Sequence, residues 1–221
     1  TTSDTEVLLR AIDRYGWETL DDCEGMWAFA VYDEADRSLT LCRDRFGEKP
    51  LYVYRDESGL YFASETKFIV ALLGRRLSPN VDQIRRFLVN GYKALYKNGQ
   101  TFFVGLSELA PGSMLRVDAR GNETERRYWS PCVYTNEDTS YEEAVEQTRA
   151  RLIEAVKLRL RADVPLAFCL SGGVDSNALV GIAKKIFGYD VHGFTIVNSD
   201  QRYEEREMVD CSVSELGLRH T

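Results

Sequence analysis

Hydrophobic positions change their period repeatedly along this chain, and each change predicts an element. Val7, Leu8, Ala11, Ile12 and Tyr15 recur on one helix face, which predicts a helix over 5–15 with Asp4 as its cap and Gly16 as its stop. From Met26 to Asp33 the pattern becomes a run of β-formers, and after the turn at 34–37 Ser38–Arg43 returns as a second strand. Leu51–Tyr54 and Leu60–Ala63 flank Asp56-Glu57-Ser58-Gly59 as a second hairpin. Helices are predicted at 67–73 and 81–90, the latter opened by Asn80 with Gln83 three residues on. Strands at 101–104 and 113–117, separated by Ala110-Pro111-Gly112, complete a front half that is α+β with a largely antiparallel sheet.

The chain then turns polar at Ser130-Pro131 and 135–139, which predicts a connection over 131–140 between two domains, 1–130 and 141–221. Ser140 and Glu143 form a capping box for a long helix striped by Tyr141, Val145, Leu152, Ala155 and Val156. Beyond it come an apolar strand (165–170), a glycine turn, a helix (176–187), a strand (191–197) and a helix (204–216). That order predicts an α/β domain with a parallel sheet and crossover helices. Two parallel strands do not finish such a sheet, so the expectation is of a domain continuing past Thr221.

Of 221 residues, 44% are hydrophobic and 29% charged, which is globular usage and excludes disorder. The net charge of −7 argues against a nucleic-acid binder but leaves room for a small anion held by backbone amides. No apolar run reaches the ~18–20 residues of a membrane span, and TTSDTEVLLR is not a secretory signal. Five scattered cysteines (Cys23, Cys42, Cys132, Cys169 and Cys211) include no C-x-x-C pair, which favours a reducing cytoplasm over a disulfide framework. With only His192 and His220 present, a zinc site and a Ser-His-Asp triad are disfavoured.

The densest local chemistry is Leu170-Ser-Gly-Gly-Val-Asp-Ser176. A turn leaving an apolar strand and entering a helix sits at the carboxyl edge of a parallel sheet, where ligands bind. Its free amides and the helix dipole favour phosphate, and Gly172 and Gly173 let the backbone come close. Ser171 and Ser176 would add hydroxyl donors, while Asp175 calls for a cation such as Mg²⁺ beside the phosphate. The Walker A pattern is not met: Lys184 and Lys185 lie roughly 12 Å further down the helix. The alternative is that the glycines serve only tight packing, and the residues alone leave both open.

Ser171–Ser176 resembles the SGGxDS loop of ATP-pyrophosphatase (PP-loop) ligases, which cleave ATP between the α- and β-phosphates and adenylylate a carboxylate or carbonyl. The resemblance implies ATP and Mg²⁺ as cofactors. It also implies ATP contacts at Leu170, Ser171, Gly172, Gly173, Asp175 and Ser176, with Asp175 linked to the metal. His192–Val197 matches the strand carrying the adenine contact, which points to Ile196. Glu204 and Glu205 resemble the family's acidic element, against the plainer role of negative charge at a helix N-terminus.

In the front half, Ser3–Val7, Glu24–Ala30 and Arg43–Tyr52 resemble class II glutamine amidotransferases. Phe62–Lys67, Thr101–Phe103 and Leu109–Gly112 resemble the glutamine-hydrolysing asparagine synthetase branch. The resemblance implies an Ntn-hydrolase-like fold and an Asp4 that binds the α-amino group of glutamine, where the residue by itself also reads as a helix cap. That family's nucleophile is an N-terminal Cys using its own α-amine as base. No Cys precedes Cys23, which reads as a buried structural thiol, and Thr1 lies too close to Asp4 to substitute. No catalytic residue is therefore assigned, and the expectation is an internal fragment, inactive alone. The implied activity of the intact enzyme is glutamine hydrolysis, with ammonia passed to β-aspartyl-AMP made from ATP and aspartate. Alternatives are another carboxylate acceptor, as in surface-sugar or β-lactam relatives, and a non-catalytic nucleotide-binding module. Glutamine, aspartate and ATP are the implied partners, with neither nucleic acid nor membrane and with a homodimer as a possible assembly.

Overall fold

The structure is a computed structural model and describes residues 3–95, 99–133, 138–197 and 205–221. The chain forms two compact units, 1–133 and 134–221. The first opens with helix α1 (Asp4–Tyr15), followed by a 3₁₀ turn at Trp17–Asp21 that the periodicity does not predict. Ser3, not Asp4, is the N-cap. Asp4 is the first helical residue, and its Oδ1 accepts the Thr5 N–H at 2.7 Å. Gly16 ends the helix as expected, its N–H donating to the Ile12 carbonyl.

Hairpins β1 (Ala28–Asp33) with β2 (Ser38–Arg43), and β3 (Tyr52–Asp56) with β4 (Gly59–Ala63), form where the alternation places them. Helix α2 (Thr66–Leu73) follows, then α3 (Val81–Asn90), whose Asn80 cap accepts the Gln83 N–H. The expected strand at 101–104 is instead an irregular turn. The Thr101 hydroxyl competes for local carbonyls, reaching Leu106 O at 2.9 Å. The strand there is β5 (Leu106–Glu108), followed by β6 (Ser113–Val117) and β7 (Glu123–Arg127). Every β7 residue is exposed, the charged composition of a sheet edge, which explains why hydrophobic patterning misses it.

Two antiparallel sheets result, ordered β1-β2-β6-β7 and β4-β3-β5. Neighbouring strand residues point to opposite faces, and the core clusters sort accordingly. Leu41, Val53 and Leu115 share one cluster contributed by both sheets. Cys42 and Met114 face Leu20, Trp17 and Leu8 of the first helical segments. Tyr54 and Leu106 face Ile69 of α2. The first unit is thus layered helix, sheet, sheet, helix.

One polar device ties the layers together. The Arg43 guanidinium donates to the carbonyls of Lys49, Gly47 and Leu109 and to Glu108 Oε2, at 2.7–2.9 Å. Fully buried Asp44 accepts the N–H groups of Trp27, Phe46, Glu48 and Lys49. Gly47 has φ +68°, and a Cβ there would lie 3.0 Å from Pro111 and 3.1 Å from the Arg43 guanidinium. The Arg43–Tyr52 segment is structural.

All five cysteines are unpaired. Burial pushes the Cys42 thiol up to about 12, and burial also raises Cys23, whose Sγ sits 3.2 Å from the Thr19 carbonyl. Neither is an activated nucleophile. Exposed Cys132, Cys169 and Cys211 should react with an aromatic disulfide reagent at about pH 8, and Cys42 only after unfolding. Mass-spectrometric counting checks this, and native labelling of Cys42 at the exposed rate would refute its burial. Because the folded pKa is raised, the stability contributed by the neutral thiol is complete below pH 9.0 and is lost as pH climbs through about 12.

The second unit begins with α4 (Tyr141–Arg159), opened by the predicted Ser140–Glu143 capping box. Next come β8 (Ala167–Cys169), α5 (Val174–Gly181) running into a π-helical turn at Ile182–Ile186, β9 (His192–Phe194), α6 (Arg206–Leu216) and β10 (Arg219–His220). The parallel sheet is ordered β10-β9-β8, with three strands where two were predicted. Two residues, 219–220, are too few for a periodicity to register. Val156, Leu170, Val180, Ala183, Val191 and Val209 form the core between sheet and helices.

Candidate nucleotide site

The turn between β8 and α5 is shorter than predicted: α5 begins at Val174, so Asp175 and Ser176 belong to its first turn. Leu170 closes the strand end, buried at 3% exposure, with its N–H on the Phe194 carbonyl at 2.8 Å. Ser171 and Ser176 do not present free hydroxyls, as the sequence suggests. Their oxygens lie 2.9 Å apart, the Ser171 N–H reaches Ser176 Oγ at 3.3 Å, and the Gly173 N–H reaches Ser171 Oγ at 3.2 Å. The two serines lock the turn from inside.

The glycines have a packing reason as well. Neither takes a positive φ, but a Cβ on Gly172 would lie 3.0 Å from Met208 Cβ and 3.4 Å from Glu205 Cβ. A side chain at this position would push the turn and α6 apart by a few tenths of an ångström. That contact brings Glu205, the N-cap of α6, onto the turn, where the Gly172 N–H donates to Glu205 Oε2 at 3.1 Å. An anion therefore sits on this amide, supplied by the protein itself. The first-turn amides of Val174, Asp175 and Ser176 lack intrahelical acceptors by helix geometry, and no side chain caps this helix.

Three residues here escape the sequence reading. Asn177 Nδ2 donates to the carbonyls of Gly173 (2.8 Å) and Ser171 (3.2 Å), which occupies two acceptors of the turn. Thr195 Oγ1 donates to the Leu170 carbonyl at 2.8 Å, and His220 Nε2 lies 2.8 Å from the same hydroxyl. Asn177 follows the hexapeptide directly and carries a capping side chain, a readable signal. Thr195 and His220 meet only through the sheet pairing.

Thr195, Ile196, Val197, Glu205, Val209 and His220 line a cleft of about 210 Å³ beside the turn. Ile196 lies past the end of β9 rather than in it, at 97% exposure. The cleft and the turn thus share Glu205. Glu204 and Thr1 lie outside the described residues. In the first unit a larger cleft of about 430 Å³ runs between α1 and the β1-β2 hairpin, and Asp4 is not among its lining residues. Among the described residues no group of three metal-ligating side chains occurs, and no helix is long and apolar enough to cross a membrane.

A layered antiparallel unit followed by a parallel-sheet unit with a glycine turn at its carboxyl edge defines a two-part class of protein, and comparison with known proteins says which. Residues 1–129 match the glutamine amidotransferase domain family and residues 147–221 the asparagine synthase family. The chain belongs to the glutamine amidotransferase domain family, in the architecture that joins this domain to an asparagine synthase domain. It is 29% identical over its whole length to a Methanocaldococcus jannaschii protein provisionally named a glutamine-hydrolysing asparagine synthetase, covering 42% of that protein. It is 28% identical over its whole length to a Bacillus subtilis glutamine-hydrolysing asparagine synthetase, covering 34% of it. Over 82% of the chain it is 34% identical to an amidase of Penicillium rubens, covering 26% of that protein. The chain therefore spans well under half the length of these relatives.

Proposed function

We propose that the chain belongs to an ATP-dependent, glutamine-hydrolysing amide ligase that converts aspartate to asparagine through β-aspartyl-AMP, in a reducing cytoplasm. Residues 1–130 form its amidotransferase part, 131–140 the connection and 141–221 its PP-loop part. The observation that carries this is the Ser171–Ser176 turn, set between a parallel strand and a helix N-terminus with a carboxylate already on the Gly172 amide.

Phosphate oxygens of ATP would replace Glu205 on Gly172 and meet the amides of Val174, Asp175 and Ser176, in the positive field of the α5 dipole. Gly173 lets the chain pass close to them, while Leu170 and the two hydroxyls hold the turn's shape. Ile196 and its neighbours offer an apolar shelf for the base. The cleft is smaller than the ~300–1,000 Å³ of a full small-molecule site, so it holds base and sugar while the phosphates lie over the turn. Asp175 and the released Glu205 are hard oxygen donors, which suits magnesium bound by one or two carboxylates together with substrate phosphates. When bound, that ion supplies the charge compensation that Asp175 alone denies the phosphates. In the first unit, Asp4 would pair its carboxylate with the glutamine ammonium.

The aspartate carboxylate attacks the α-phosphorus, releasing pyrophosphate, and ammonia then attacks the acyl carbon, releasing AMP. Excluding water favours ammonia in that second step. Supplying the protein that carries this chain with ATP, glutamine and aspartate should yield asparagine, and formation of none overturns the acceptor assignment. Another carboxylate acceptor is the second reading, kept because the similar Penicillium protein is named an amidase and not an asparagine synthetase.

If Glu205 competes with phosphate, Glu205→Gln should tighten magnesium-free pyrophosphate binding about fivefold, since a charge-assisted hydrogen bond no longer has to be broken. Equilibrium titration measures it, and weaker binding would show that Glu205 assists rather than competes.

A further inference from the structure

We infer that His220 is a positioning residue of the nucleotide site, holding through Thr195 the strand end that feeds the 170–176 turn. This rests on the turn being the phosphate loop proposed above. A threonine hydroxyl has one proton to give. Thr195 spends it on the Leu170 carbonyl at 2.8 Å, so it can offer His220 only a lone pair. His220 must then donate from Nε2, and its neutral ring is the Nε2–H tautomer.

The contact closes a network across all three strands. Leu170 gives its N–H to Phe194 O, Thr195 gives its N–H to Thr221 O, and Thr221 gives its N–H to Gly193 O, at 2.8–3.1 Å. Leu170 is thereby held at both its backbone groups by residues 194 and 195, one residue before the turn begins. Its carbonyl is the last polar group of the strand before Ser171, and its buried side chain fills the core beneath. Loss of the imidazole donor frees the Thr195 hydroxyl to turn from Leu170 toward other acceptors. A buried carbonyl is then left without its partner, and the strand end is free to shift. No substrate atom need touch His220 for this effect.

Two measurements on the full chain decide the point. Nitrogen-15 spectra of the imidazoles should show neutral His220 protonated on Nε2, and a ring protonated on Nδ1 overturns the inference whether or not ATP binds. Titration with Mg·ATP should show His220→Leu and Thr195→Val each binding about tenfold more weakly, the scale of one buried acceptor left unpaired. His220→Gln keeps a terminal N–H donor and Thr195→Ser keeps the hydroxyl, so both should bind within about twofold of the parent. The double variant His220→Leu/Thr195→Val should be no weaker than either single one, because both cut the same chain of bonds. Unchanged affinity in His220→Leu, no rescue by glutamine, or additive losses would each overturn the inference. A parent chain that binds no ATP overturns the phosphate-loop reading instead, and the tautomer then decides the contact.

Discussion

In the intact protein that carries this chain, replacing Asp175 with alanine should lower the proposed ATP–pyrophosphate exchange by at least about a hundredfold, the scale of charge stabilisation a bound cation supplies in a transition state. The same substitution should leave glutamine hydrolysis within about twofold, because Asp175 lies in the second compact unit and the amidotransferase match ends at residue 129. Asp175 occupies the first turn of α5 with its side chain exposed, so its removal opens no cavity and breaks no core contact. The stability of the second unit should therefore hold, and a thermal melt run beside the exchange assay checks that. Loss of both activities, or of neither, would end the proposed division of labour. Asp175→Asn keeps shape and loses charge, so it should fail nearly as badly as alanine if charge toward the cation is what matters.

The largest stability effect is expected at Arg43. Arg43→Leu leaves Glu108 and three backbone carbonyls without their donor, at a site where the arginine side chain is 7% exposed. Breaking a buried charged network in this way costs about 3–5 kcal/mol, a large share of the ~5–15 kcal/mol that holds a domain together. Arg43→Lys should recover only part of it, because a point charge cannot reach four acceptors that a planar fork spans. Trp17, Trp27 and Trp129 are the chain's three tryptophans and all lie in the first unit. Their fluorescence in a urea titration reads this unit alone. A midpoint unchanged by Arg43→Leu would remove the polar staple from the account of the fold.

Much of the architecture was legible because it rests on local rules. The first hairpin declares itself through alternating β-formers around a tight turn, and α4 through Ser140, Glu143 and a long stripe. The turn at 170–173 is announced by glycines placed between an apolar strand and a helix. Other elements were illegible for stated reasons. β7 carries only exposed, largely charged residues, β10 has two residues, and the Thr101 hydroxyl diverted a β-prone segment into a turn. The matches of 1–129 and 147–221 to two joined families agree with what the motifs of both halves implied.

The candidate site divides the same way. Residues contiguous with the hexapeptide could be named from the sequence, since a backbone amide cradle needs only a strand, a turn and a helix start. How each group is used could not be named. Hydroxyls expected to face a ligand instead lock the turn, and Gly172 is pressed against Met208 of α6. Glu205, Thr195 and His220 reach the turn from 25 to 50 positions further along the chain. By itself, then, the sequence determined most of the strands, helices and turns, because propensity, capping and periodicity act over a few residues. Only the tertiary structure decided which donors remain available and which side chains converge. Hydrogen-bond satisfaction and close packing are settled between segments that meet in space, whatever their separation along the chain.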